Sequence, residues 1–320
     1  MTHLLALLIG LAWDRLIGEP KRFHPLVAFG RWAERCERWA RERGLHTQRV
    51  GPQPTPDSMA TAMWRERLAG LFAWLAAVTP PLLLTLWLFA AFPKLRWLWE
   101  GLILGLALGW RSLEEHIVAV ADPLARGDLP AARAAVAKIV SRDAALLDAR
   151  GVATAATESA LENGHDAVIA PLFWFAVAGG IGVLLHRLAN TLDAMWGYRT
   201  PRYRDFGWFA ARADDLLGWP SARLTALAYA LAGHVRDALR CWRRQAPHWP
   251  SPNAGPVMAA GAGALGVRLG GPAPYHGVWQ PRGTLGCGAP ATPETPLAAL
   301  ALLRRATIGV LLLTAWWVSR

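Results

Sequence analysis

Acids and amides crowd both ends of one apolar stretch in this chain. Glu158, Glu162, Asn163, His165 and Asp166 precede residues 167–185, nineteen positions without a charge, and Asn190, Thr191 and Asp193 follow them. Polar groups held this close to a run of nearly bilayer length cost free energy unless partnered, so they mark a site. Glu158 and Glu162 are four apart and share one helical face, with Asp166 beyond. Two carboxylates so placed either hold a divalent cation or form a solvated acidic face. Asp214-Asp215, in FAARADDLLG, is a second metal candidate, because Mg²⁺ takes one or two carboxylates plus phosphate oxygens and water. Adjacent helical residues point about 100° apart, so one of the pair binds directly. Asn190-Thr191-x-Asp193 adds an amide, a hydroxyl and a carboxylate, suited to a cation, a polar substrate or a helix cap.

Anion-binding candidates accompany these acids. Ser141-Arg142-Asp143 sets a cation beside an anion, and Arg142 is the member with the fork geometry for phosphate. Ser251-Pro252-Asn253-Ala254-Gly255 opens a Gly-rich stretch reaching Gly270-Gly271; its backbone amides can cradle phosphate, or its glycines can simply make turns. No GxxxxGK[ST] is present, which excludes a P-loop nucleotide site, and GALGVRLGG follows no strand pattern. His24, beside Pro25, is an acid/base or ligand candidate, or a structural loop residue. Several metal and phosphate candidates beside one membrane segment, without hydrolase or redox signatures, point to phosphate chemistry on a large or amphiphilic substrate.

Composition narrows the setting. The 320 residues are 53% hydrophobic with net charge +11. That charge suits nucleic acid or an anionic bilayer, but the cations are dispersed and eighteen Trp stand mostly beside apolar runs, as in interfacial belts. The lipid bilayer is therefore the expected partner, with no nucleic acid. Cys36, Cys241 and Cys287 are scattered and form neither a zinc motif nor a disulfide framework. The start, MTHLLALLIGLAW, lacks a basic flank and a cleavage pattern and reads as a retained helix.

The elements that must position the site follow from hydropathy. Apolar segments fall near 2–13, 68–92, 97–110, 167–185 and 306–318, giving four or five spans. The second contains Pro80-Pro81, which predicts a kink. Segment 97–110 reads as the return arm of a hairpin begun by 68–92. Residues 14–67 hold eleven Lys or Arg and belong inside, with a flexible basic linker over about 44–62. A full crossing by 167–185 would put the ten Arg of 187–244 outside. A re-entrant or protein-buried segment, broken at Pro171 or at Gly179-Gly180 with Gly182, removes that conflict. Asp128 before Leu129-Pro130 marks a helix start, Ser141–Asp143 interrupts it, and another helix runs towards Asn163. No strand-rich block or repeat is visible. The fold class is all-α: a polytopic helical membrane protein forming one domain over 1–320, with a loop-rich Gly/Pro C-terminal region over 251–296 containing one short helix near 257–265.

The ordered blocks DRLIGEPKRFHPLVAFGRW, SRDAALLDARGVATAATESALEN, DAVIAPLFWFAVAGGIGVLLHRLANTLDAMWGYR, YRDFGWFAARADDLLGWPSARLT and SPNAGPVMAAGAGALGVRLGGPAPYHG run nearly end to end. Together they resemble the CobD/CbiB family of cobalamin biosynthesis, the adenosylcobinamide-phosphate synthases. The resemblance implies an ATP-dependent ligation joining a carboxylate of adenosylcobyric acid, a corrinoid, to the amine of aminopropanol or its O-phosphate. It further implies ATP and Mg²⁺ as cofactors, a cytoplasm-facing site on the inner cell membrane, and other corrinoid-pathway enzymes as candidate partners. On that basis Glu162, Asp166, Asp193 and Asp214 are expected at Mg²⁺-ATP, Arg142 and Arg212 at phosphates, and Glu158 at the attacking amine. Asn190, Ser251, Asn253 and Gly255 are expected at the nucleotide or substrate. The competing expectations are a corrinoid-binding transporter built on a broken helix, or a scaffold for neighbouring enzymes.

Overall fold

The computed structural model describes residues 2–20, 25–42, 56–275 and 277–319. His24 and the linker positions up to residue 55 lie outside these. Twelve helices occur among the described residues: α1 Thr2–Leu16, α2 Pro25–Ala40, α3 Pro56–Ala91, α4 Arg96–Ala107, α5 Trp110–Ala125, α6 Leu129–Val136, α7 Ala149–Gly164, α8 Ala170–Trp196, α9 Trp208–Ala232, α10 Val235–Gln245, α11 Ala254–Leu265 and α12 Thr295–Val318. The chain is an all-α polytopic membrane protein. By length and apolarity three helical stretches qualify as spans: Met59–Ala91, Ala149–Trp196 and Thr295–Val318. Leu83, Leu84 and Trp87 on α3, and Leu312, Trp316 and Trp317 on α12, present large exposed apolar surface of the kind lipid covers.

Three sequence expectations change. Residues 56–62 belong to α3 rather than to the linker, because Pro56 occupies a first helical turn, where its missing N–H costs nothing. Next, α4 follows α3 through a short turn at Pro93–Leu95 but packs chiefly along α1. Its glycines set that partner: a Cβ on Gly101 or Gly105 would meet Ile9 or Trp13 within 3 Å, and Gly10 of α1 is equally tight against Leu104. Small residues let helix backbones approach where water supplies no drive. Finally, the C-terminal region is not simply loop. After α11 come β1 Val267–Gly270, β2 Ala273–Tyr275, β3 Val278–Gln280, β4 Thr284–Gly286 and β5 Ala289–Pro290. β1 pairs antiparallel with β4 and parallel with β5, while β2 and β3 form a hairpin. Strands of two to four residues are too short for an alternating pattern to register in sequence.

The helix start at Asp128 behaves as read, capping α6 by accepting from Ala131 N–H at 3.1 Å. The following helix starts later than the Ser141–Asp143 interruption, at Asp148, which caps α7 from Gly151 N–H at 2.7 Å. A longer-range cap fixes α5: the Asp14 carboxylate accepts from the amides of Trp110 and Arg111 at 3.1 and 3.2 Å. The larger apolar core joins α4–α8 to α11 and α12. A smaller one packs α2 and α3 on the ends of α8 and α9 through Phe29, Ala77, Leu192, Trp196 and Phe206.

Candidate functional site

Helix α7 continues into a π-helical turn, His165–Ile169, before α8. Such turns arise where one extra residue is inserted into a helix, often at functional sites. Here the Ala167 carbonyl accepts from Gly109 N–H at 3.0 Å. Within α8 the chain then breaks: Ala178 has φ −140°, and Gly179 has φ 58° and ψ −151°. The break reverses direction. Asp166 and Asp193 would stand about 40 Å apart on a straight helix, yet they lie within electrostatic range of one another and of Asp214. Residues 166–193 therefore form a helical hairpin within the apolar stretch Ala149–Trp196. Its tip, Gly179-Gly180, packs on Glu100 of α4, whose carboxylate accepts from Arg96 Nε at 3.0 Å and pairs with His3 at 2.9 Å.

The hairpin's mouth gathers the acids. Asp166 is held by His165 Nδ1 at 2.6 Å, and His165 Nε2 meets Ser221 Oγ at 2.9 Å. Asn190 Nδ2 donates to Asp214 Oδ1 at 3.4 Å. Burial first, then the neighbouring Asp166 and Asp193, pushes the Asp214 carboxyl up to about 8. Asp215 on the next position is also raised, by burial, although Arg212 partly offsets it at 3.4 Å. Asp193 has no side-chain partner among the described residues. Oxygen donors in excess of nearby cations fit a hard divalent ion. Among the described residues no three His, Cys, Asp or Glu side chains form a group that could by itself hold a metal ion.

One turn back along α7 lies a cavity of about 490 Å³, lined by Arg142, Glu158, Glu162, Asn163, Tyr275 and Arg282 among others. Glu158 is a keystone. It is paired with Arg142, accepts from Arg282 Nη2 at 2.9 Å, and accepts from Gly270 N–H at 2.7 Å. Arg142 also donates to Tyr275 Oη at 3.4 Å, and Arg282 stacks over Trp249 at 4.9 Å. Burial opposes ionising Arg142, but the Glu158 carboxylate outweighs it and raises its guanidinium further.

The structure thus brings together most of the sequence-predicted residues in two adjoining groups. Asp166, Asn190, Asp193 and Asp214 form the first; Glu158, Glu162 and Arg142 border the cavity. Arg212 is 63% exposed and pairs with Asp215 at the rim of the first group. Asn253 is buried between the Asp215 carbonyl, at 2.9 Å, and Arg223, at 3.1 Å. Ser251 Oγ accepts from Asn253 and Ala254 N–H, starting α11. Gly255 fits because a Cβ there would sit 2.8 Å from Trp249 Cβ. The Gly-rich stretch after α11 is strand β1, and its Gly270 amide goes to Glu158. Sequence reading missed Arg282, Tyr275 and Ser221, which come from distant segments, and Arg187. The last has a buried Nε without a hydrogen-bond partner and faces Asp166 and Glu19.

Comparison with known proteins gives the chain's family. A family described as CobD/Cbib protein matches residues 7–303. The chain is 56% identical to "Cobalamin biosynthesis protein CobD" of Stutzerimonas stutzeri over 289 residues, covering 90% of this chain and 89% of the relative. A Chromobacterium violaceum protein of the same name is 52% identical over 305 residues, 95% of this chain and 93% of its own. One from Mycobacterium tuberculosis is 39% identical over 324 residues, covering 100% and 97%. No solved structure matches. The hairpin, its acids and the adjoining cavity are therefore features of a member of the CobD/CbiB family of cobalamin biosynthesis proteins.

Proposed function

We propose that this chain is an ATP-dependent acid–amine ligase joining adenosylcobyric acid to aminopropanol or its O-phosphate. The observation that carries the reading is the placement of an oxygen-donor cluster and a polar cavity side by side at one mouth of a helical hairpin. A carboxylate and an amine at neutral pH form a salt, so amide formation needs activation of the acid. Phosphorylation by ATP supplies it: the carboxylate oxygen attacks the terminal phosphorus and ADP leaves, then the amine attacks the acyl carbon of the mixed anhydride and inorganic phosphate leaves.

In this reading Asp166, Asp193 and Asp214 hold Mg²⁺, which when bound neutralises phosphate charge. Asn190 orients Asp214, Asn253 positions Asp215, and Arg212 meets phosphate at the rim. Arg142 and Arg282 hold Glu158 and direct their remaining N–H groups at the cavity. A corrinoid ring exceeds the cavity and lies across its mouth. In this reading the hairpin returns both flanks to one membrane face, and the Arg-rich segments 14–67 and 187–244 support a cytoplasmic location for that face.

The test is reconstitution in liposomes with ATP, Mg²⁺, adenosylcobyric acid and either amine, read by mass spectrometry. The expected product is heavier by the amine less one water, with matching ATP loss. A folded protein that binds corrinoid but consumes no ATP would instead be a transporter, a reading favoured only by the broken helix.

A further inference from the structure

Glu158 and Glu162 stand one turn apart on α7 and border the same cavity, but their surroundings are opposite. Glu158 is fully engaged by Arg142, Arg282 and Gly270 N–H. Its oxygens are taken up by charge-assisted hydrogen bonds, so it is poorly placed to accept a proton from a substrate. The Glu162 carboxylate has no hydrogen-bond or ion-pair partner among the described residues and borders the cavity. Beside it, Asn163 donates both its contacts through Nδ2, to Ser159 O and Oγ at 3.0 Å, which leaves its Oδ1 as an acceptor.

Charge completes the picture. Arg142 and Arg282 exceed Glu158 by one charge, and Glu162 brings these four groups to neutrality while leaving its own oxygens unbonded. A half-buried carboxylate with no hydrogen bond of its own keeps its full acceptor capacity, and the ligand that takes it up is a cation with hydrogen-bond donors. A primary ammonium has three such donors and fits beside both Glu162 and Asn163. Glu162 also lies within electrostatic range of Asp166 on one side and of Arg142 and Arg282 on the other. It thus stands between the cluster where the acid would be activated and the floor of the cavity.

We infer that the cavity is the amine subsite and that Glu162 is its ammonium counter-ion and proton acceptor, a role distinct from metal binding. The inference rests on the ligase reading and deepens it. The ammonium gives one proton to Glu162, and the freed lone pair attacks the activated carbonyl carbon. The C–N bond forms as the carbonyl carbon–oxygen bond to phosphate breaks, and the second proton leaves with the phosphate. Glu158 is then a positioning residue that holds the cavity's wall.

The test compares wild type with Glu162→Gln, Glu162→Asp and Ser141→Trp in detergent. Ser141 is an exposed member of the cavity lining, so the Trp occludes the subsite without entering the core. Calorimetric titration with aminopropanol and, separately, its O-phosphate measures binding without turnover. Glu162→Gln and Ser141→Trp are expected to weaken the amine about ten- to hundredfold, the range for losing a hydrogen bond to a charged group. Glu162→Asp restores part of it. In turnover, Glu162→Gln raises the amine KM and lowers kcat, with the ATP KM and the half-saturating Mg²⁺ within about twofold of wild type. A shifted Mg²⁺ requirement with unchanged amine binding would make Glu162 a metal ligand and overturn the inference, as would wild-type protein that binds neither amine. Amine binding lost in both variants, from a wild type that forms no amide, would uphold the subsite while rejecting the ligase.

Discussion

A Cβ built on Gly182 would lie 2.8 Å from the carbonyl oxygen of Trp174, eight residues earlier. In a continuous helix those positions are about 12 Å apart. That closeness makes the segment a hairpin, and the hairpin decides topology. Cysteines introduced at Glu115 and Ala194, both exposed, should label from the same membrane face with an impermeant maleimide, once Cys36, Cys241 and Cys287 are replaced. A cysteine at Lys94, in the turn between α3 and α4, should label from the opposite face. Labelling of positions 115 and 194 from opposite faces in sided vesicles would mean that 167–185 crosses fully.

The reversal depends on Gly179. Its φ of 58° with ψ −151° belongs to a region that side chains avoid, and an added Cβ would stand 2.8 Å from Glu100 Oε1. Gly179→Ala should cost about 1–3 kcal/mol in backbone strain and lower the melting temperature of detergent-solubilised protein by several degrees. Gly309, where a Cβ meets nothing within 4 Å, is the control: Gly309→Ala should leave stability unchanged or slightly raised. Equal melting of the two variants would show that the bend tolerates side chains.

How much of this could be read from the chain depended on distance along it. Glu158 and Glu162 share a face because four residues make a helical turn, and their spacing alone revealed it. The break within the apolar segment was legible through a conflict between hydropathy and the ten Arg that follow it. The different fates of those two glutamates were not legible. They are decided by Arg142, sixteen residues before, and by Arg282 and Gly270, more than a hundred after. Likewise α4 resembled the partner of α3 by adjacency, whereas its glycines face α1. The short strands that deliver Gly270 and Tyr275 follow turn geometry and tertiary pairing rather than a sequence period.

A second ionic centre ties three helices together. Glu114 of α5 accepts from Arg15 of α1 and Arg304 of α12, both at 2.7 Å. Burial raises its carboxyl, but the hydrogen bonds and charges of Arg304 and Arg15 outweigh that and hold it below the usual carboxylate range. A carboxyl lowered in the folded state stabilises fully above its unfolded value, near 4.5, and loses that contribution as pH falls through the lowered value. The melting temperature of wild type should therefore decline on acidification below about pH 5, while Glu114→Gln starts lower and declines less. Parallel curves would show that the triad adds nothing.

The acid cluster makes the opposite prediction for cation binding. Asp214 is raised to about 8 by burial and by Asp166 and Asp193, so at neutral pH it carries a proton that a bound cation must displace. Metal affinity then falls as pH drops below that value, by roughly tenfold per unit for one displaced proton, and levels off above it. Half-saturating Mg²⁺ for ATP turnover should follow this line between about pH 6.5 and 9, and Mn²⁺ binding followed by electron paramagnetic resonance should follow it without turnover. Asp214→Asn should weaken Mn²⁺ binding and flatten the slope; Asn190→Ala, which removes only the 3.4 Å bond to Asp214, should keep the slope and move its break to higher pH. The two variants separate a ligand from its support. A pH-independent Mn²⁺ affinity in wild type, or an unchanged slope in Asp214→Asn, would place the cation elsewhere and leave Asp214 as a protonated wall of the hairpin's mouth.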